Sequence, residues 1–247
     1  MKLIHTLTIA SAAFGLAATS MAGTSTAAPA ACSPDAFNQW NVELSLLHQR
    51  ARGNDYTEQH FEDGYRLGVS YQPCPESLGY RVTYTEFKGT EDTSGIFEDH
   101  GPDITKIDFE AFKTGLQLGP VNCSYSFGLR YLDIVEDSLD FVFIREVDYR
   151  GFGPVVGFDA SYALPYNFSL YGEASAAYLF GHDKQGNASD DEYTFSFGAG
   201  LRYDITFCPM IEGAYVKAGY EVEHLNQLTN ANSAKVQGWV FSLGYDF

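Results

Sequence analysis

Ten charged residues in this chain recur in a setting that would gather them on one face of a rolled sheet. They are Glu43, Arg66, Arg81, Asp108, Glu110, Arg130, Asp159, Glu173, Arg202 and Lys217, and nearly all have apolar or aromatic residues on both sides. Gly64, Gly79, Gly128 and Gly200 each lie two positions before one of the arginines. Side chains alternate between the two faces of a strand, so charges at these positions point away from the oily ones. If the sheet closes on itself, the charges face its axis. Acids opposed to bases across a lumen would set up a transverse field that selects and orients small polar solutes. The same groups could instead pair into a salt-bridged filling, because a buried charge without a partner is costly.

The elements that must hold these residues show best at the carboxyl end. Trp239, Phe241, Leu243, Tyr245 and Phe247 take every second position, with Gly238, Val240, Ser242, Gly244 and Asp246 between them. One greasy face and one lean face is the pattern of a strand in a transmembrane barrel. The pattern recurs in Gln39–His48, Gly64–Tyr71, Gly79–Phe87, Thr105–Gly115, Val121–Asp133, Gly151–Tyr162, Asn167–Phe180, Glu192–Asp204 and Ile211–Glu223. This makes about ten strands, with eight or twelve as the alternatives. The expected fold is therefore all-β, a transmembrane antiparallel up-and-down β-barrel. Connections alternate short and long, so both termini should lie on the short-turn, periplasmic side. Phe141–Val147 could add an eleventh strand, but odd parity would invert every later loop. An extension of the neighbouring strands is preferred there. Pro154 cannot donate to a ladder and predicts a bulge or a rim position.

No run of eighteen apolar residues exists beyond the amino end, so a helical membrane span is not expected. That end reads as a secretory signal, residues 1–22: Lys2, an apolar core from Leu7 to Ala18, and a small-x-small site at Ser20-Met21-Ala22. A cut as late as residue 31 is the alternative. Residues 23–37 then form a periplasmic linker and 38–247 the barrel. The formal net charge of −17 argues against a nucleic-acid partner, whose phosphates need basic patches. The expected location is the bacterial outer membrane. Expected partners are its lipid and lipopolysaccharide, the barrel-assembly machinery through the last strand, and small polar solutes. Acidic loops could also bridge lipopolysaccharide through divalent cations.

Cys32, Cys74, Cys123 and Cys208 would all fall at the periplasmic end of such a barrel. That compartment is oxidising, and Cys74 with Cys123 is the first pairing to expect, although spacing alone leaves connectivity open. His48, His60, His100, His182 and His224 fall at the outer rim among acidic residues. None has metal-ligand spacing, so no metal, cofactor or catalytic set is expected. Ten-stranded outer-membrane proteases, the omptins, do use His and Asp at that rim, which keeps a rim hydrolase as the last of three readings.

GFGPVVGFDASYALPYNFSLYGEASAAYLFG at Gly151–Gly181, preceded by GLRYLD at Gly128–Asp133, resembles the Legionella-type major outer membrane protein family. The resemblance implies a pore-forming outer-membrane barrel with a channel role. It carries no catalytic residues and no defined substrate. The expectation is a porin-like passive channel for small polar solutes or ions. The alternative is a structural or adhesive barrel with a packed lumen. Ten strands lie near the size at which side chains fill the interior.

Overall fold

Alternating residues condense into ten long strands in a computed structural model. The structure describes residues 39–52, 61–74, 77–88, 91–92, 99–100, 102–140, 143–183, 191–206, 211–228 and 232–247. The expected signal and linker segments lie outside the described residues. The strands are β1 (Gln39–Arg52), β2 (Glu62–Gln72), β3 (Gly79–Phe87), β6 (Asp103–Leu118), β7 (Val121–Asp140) and β8 (Phe143–Ala163), followed by β9 (Phe168–Asp183), β10 (Asp191–Asp204), β11 (Ala214–Leu228) and β12 (Asn232–Asp246). Two-residue strands β4 (Glu91–Asp92) and β5 (Asp99–His100) lie between β3 and β6, and β5 pairs with the end of β7 at Asp99↔Ser138. Every long strand pairs antiparallel with two neighbours, and β7–β8 and β1–β12 contacts leave no open edge. The Phe247 amide donates to the Trp40 carbonyl at 2.8 Å, so both ends of the barrel chain meet at one rim. The fold is a closed antiparallel barrel of ten strands. Closure satisfies each backbone group inside the sheet, which a strand in hydrocarbon requires.

The outward face is the greasy one. Leu46 is 63% exposed, Phe197 56%, and Trp239 and Phe241 50% each. A continuous belt of this kind would be a liability in water and is the required surface in a bilayer. At one rim the strands are joined by short connections, among them the described turns 119–120 and 164–167. Tyr166 and Asn167, both at φ 64°, make the tight turn between β8 and β9.

The preferred extension of neighbouring strands is found: β7 and β8 stay in register as far as Asp140↔Phe143, so 143–147 belongs to β8. The expectation for Pro154 is corrected. It is neither at a rim nor in a bulge. It pairs with Leu129 midway along β8, and pairing with β9 merely omits rungs between Phe152↔Phe180 and Val155↔Ala177 without a register shift. The missing N–H costs a rung and inserts no residue. The real irregularities lie between Lys113 and Leu116 in β6, beside Gly115 at φ 91°, and between Leu225 and Leu228 in β11.

The Cys74–Cys123 pairing is overturned. Cys123 is a free, buried thiol, and Cys74 is disulfide-bonded to a partner outside the described residues. Cys123 sits in β7 between Leu116 and Ala160, whereas Cys74 follows β2. β3 and β6 lie between, and three strand spacings make roughly 14 Å, beyond the reach of one bridge.

Candidate functional site

All ten charges singled out by spacing face the interior, where they line one cavity of about 360 Å³. Each is there because its strand alternates without a slip across the barrel's middle. Their partners then follow from register and from the narrow bore. On adjacent strands, Asp108 and Arg130 are direct register partners, and the guanidinium binds both carboxylate oxygens at 2.7 and 2.9 Å. Arg81 and Glu110 are likewise opposite one another, at 3.0 Å.

Other bonds reach past the adjacent strand to one two or three places round the barrel. Arg66 on β2 meets Glu221 on β11 through two bonds of 2.7 Å. Arg130 reaches Thr194 at 2.9 Å and Ser175 at 3.2 Å. Arg81 approaches Asp159 at 3.5 Å. Lys217 bonds Glu43 at 2.7 Å, with Glu173 3.9 Å away. Nearest the short-turn rim, Arg202 binds Asp204 at 2.7 Å and Asp246 at 3.0 Å, its guanidinium lying 3.7 Å from the Tyr215 ring centroid. Paired, planar Arg–carboxylate contacts are the strong form of this interaction. Bases and acids are therefore interleaved around the wall and largely neutralise one another, with no positive side facing a negative one.

Alternation also carried residues that were not singled out. Lys106 shares a face with Asp108 and Glu110, and its ammonium binds both oxygens of Glu223 at 2.9 and 2.8 Å. Glu221 and Glu223 share a face with Lys217. Tyr215 donates to Glu43 at 2.7 Å and accepts from Asn41 at 2.8 Å. Continuing the period of two back from Asp108 along β6 and on from Lys217 along β11 would have found the charged three.

Toward the long-loop rim the interior changes character. Ala51, Phe87, Ile104, Leu132, Ile134, Tyr149, Val155, Ala177, Leu179, Leu225 and Val236 form one buried cluster inside the barrel. Leu179 has no exposed surface, and Leu132 and Ile134 have 1%. The Tyr149 ring rests over the register partners Gly151 and Gly181, where any Cβ would overlap it. This apolar plug departs from the small and polar character of the lean face elsewhere. The cavity thus opens toward the short-turn end and meets oil at the other.

Among the described residues no group of three His, Cys, Asp or Glu side chains could hold a metal ion. His48 and Asp63 form an exposed pair at 2.8 Å, and His224 stands on the outward face of β11. His60 lies outside the described residues, and only the backbones of His100 and His182 are placed. The long-loop rim also holds Glu86, which accepts from Tyr65 and from Tyr84 at 2.8 Å and pairs with Lys88 at 3.1 Å. Bonding to that carboxylate raises the proton affinity of the exposed Lys88 ammonium.

A family model described as Legionella pneumophila major outer membrane protein precursor matches residues 29–222. No curated protein matches the chain. Among solved structures, the β domain of the Bordetella autotransporter BrkA is 13% identical, covering 85% of this chain and 98% of its own, at a TM-score of 0.49. A major outer membrane protein from Thermus thermophilus is 15% identical, with 85% and 99% covered and a TM-score of 0.42. The Escherichia coli outer membrane protease OmpT is 11% identical, with 87% and 97% covered and a TM-score of 0.45.

Proposed function

Because the chain belongs to the Legionella pneumophila major outer membrane protein family and so resides in the bacterial outer membrane, we propose that it is a sealed structural barrel. On this reading the barrel presents its loops at the cell surface and does not conduct in its resting state. It is not an enzyme. The end of its last strand, Trp239 to Phe247, is the segment offered to the barrel-assembly machinery, and lipopolysaccharide surrounds its greasy belt.

The observation that carries the proposal is the apolar plug. A water-filled pathway needs accessible surface at every level, and almost none remains around Leu132, Ile134 and Leu179. Below the plug the charged residues satisfy one another, which supports a stabilising filling over a selectivity filter. Planar-bilayer recording tests this. Wild-type protein should give no steps above background, while Leu132→Gly with Leu179→Gly should conduct.

A second reading, the porin-like passive channel, is favoured by the cavity of about 360 Å³, whose charged walls could hydrate small polar solutes or ions. Passage would then require the plug to part. Regular conductance steps from the wild-type protein would establish this reading and end the first.

A further inference from the structure

Charges on the outward side of the long-loop rim are distributed unevenly around the barrel. Across β2, β3, β6 and β7 the outward positions hold Asp63, Glu86, Asp103 and Asp133, and Arg150 on β8 neutralises Asp133 at 3.0 Å. The stretch formed by β1, β12 and β11, flanked by Asp63 on β2 and Asp191 on β10, is different. Its outward positions hold Arg50, Lys235, Gln237 and His224, with no carboxylate among the described residues. Backbone register joins them into one patch: Arg50↔Gln237, Arg52↔Lys235 and His224↔Lys235. Arg50 and Lys235 are diagonal neighbours, about 7–8 Å apart. The whole patch is roughly 10 Å wide, two strand spacings. This is a concentration of positive charge in a chain with 15 Lys and Arg against 32 Asp and Glu.

Among the described residues the Arg50 side chain is held but not neutralised. The Arg50 guanidinium lies 5.4 Å from the centroid of Phe61, a ring that also stacks on His48 at 4.8 Å. Arg50 Nε is buried without a hydrogen-bond partner. Neither Arg50 nor Lys235 has a carboxylate partner among the described residues. Directly beneath, Trp239 packs edge-on against Tyr220 at 5.4 Å, and the outward stripe continues through Leu46, Phe241, Leu44 and Leu243. Aromatic residues of this kind mark the headgroup level, with hydrocarbon below. Two unpaired cations above an apolar stripe match an amphiphile whose headgroup bears phosphate: arginine supplies planar paired donors, lysine a compact charge.

We propose that the β11–β12–β1 rim is a docking site for the phosphorylated headgroup of an outer-leaflet glycolipid of the lipid A class. Arg50 and Lys235 bind the phosphate, and the acyl chains lie along Leu46, Phe241, Leu44 and Leu243. The inference rests on residence in the outer membrane with the long-loop rim outward. It is independent of whether the lumen conducts.

Native mass spectrometry of the folded barrel, released from detergent with added bisphosphorylated lipid A, tests it. A saturable one-to-one adduct is expected, with dephosphorylated lipid A binding far more weakly. Arg50→Gln and Lys235→Gln should each weaken the adduct about fivefold, the worth of one basic residue at an anionic surface. Arg150→Gln makes the same change in net charge at the same rim and should leave binding unaltered. If Arg50→Gln folds poorly, Lys235→Gln alone decides. Equal binding of the dephosphorylated lipid, wild-type affinity in the variants, or an equal loss in Arg150→Gln overturns the proposal. Displacement of the lipid by inorganic phosphate at comparable concentration also overturns it, since the site would then be one for free anions.

Discussion

Arg130 shows what the interior asks of a single residue. It is 3% exposed, bound by Asp108 on the adjacent strand and by two hydroxyl groups two and three strands away. Removing one member of such a pair leaves the other buried and uncompensated, at about 3–5 kcal/mol. Asp108→Asn should therefore destabilise the barrel by roughly that amount, toward the lower end because Glu223 stands 3.7 Å from the guanidinium. Replacing both partners with apolar residues of similar volume should cost much less. At the exposed rim the same chemistry is weak, and Arg150→Gln should lose less than about 1 kcal/mol. Urea unfolding in lipid vesicles measures all three. A loss in Asp108→Asn no greater than in Arg150→Gln would mean that the lumenal pairs are ornamental.

At the scale of the strand, alternation decides everything, because a slip of one residue would exchange oil for charge along the whole element. β10 is the cleanest case. Phe197 stands midway along it and 56% exposed, in register with Ala174 and Val222 on the outward face. Its neighbour Ser196 points inward and bonds Ser175 at 2.6 Å. Phe197→Arg should cost about 2–4 kcal/mol, and the cost should change with bilayer thickness. Ser196→Arg should cost about 1–3 kcal/mol by overfilling the lumen, with no dependence on thickness. Refolding yields in vesicles of two chain lengths separate the cases, and equal thickness dependence would reverse the facing of β10. The same logic explains Pro154, whose strand tolerates lost rungs to β9 because β7 still holds register on the other side.

At the scale of the molecule, β1 and β12 close the barrel through continuous register from Asn41↔Asp246 to Arg52↔Lys235. Deleting residues 239–247 would strip β1 and β11 of their shared neighbour and leave two open edges in hydrocarbon, each unsatisfied backbone group costing several kcal/mol. The truncated chain should fail to give the compact, heat-resistant band of a folded barrel on an unboiled gel. A folded band would show that closure does not depend on β12. Much of this architecture was legible beforehand. The period of two is a property of neighbouring residues and survives in the text, so the fold, the ten strands and the facing of Glu43, Arg66 or Lys217 could be read directly. Which acid meets which base across the bore could not. The Arg66–Glu221 and Lys106–Glu223 contacts join residues far apart in the chain, and only the circumference and stagger of the closed sheet bring them together. The plug was hidden for a related reason. Leu132, Leu179 and Leu225 sit on different strands, and each alone looks like a single apolar residue on a lean face. Their convergence at one height is a fact of shear. Local sequence thus determined which way every side chain faces, whereas the curvature of the whole sheet decided what it finds there.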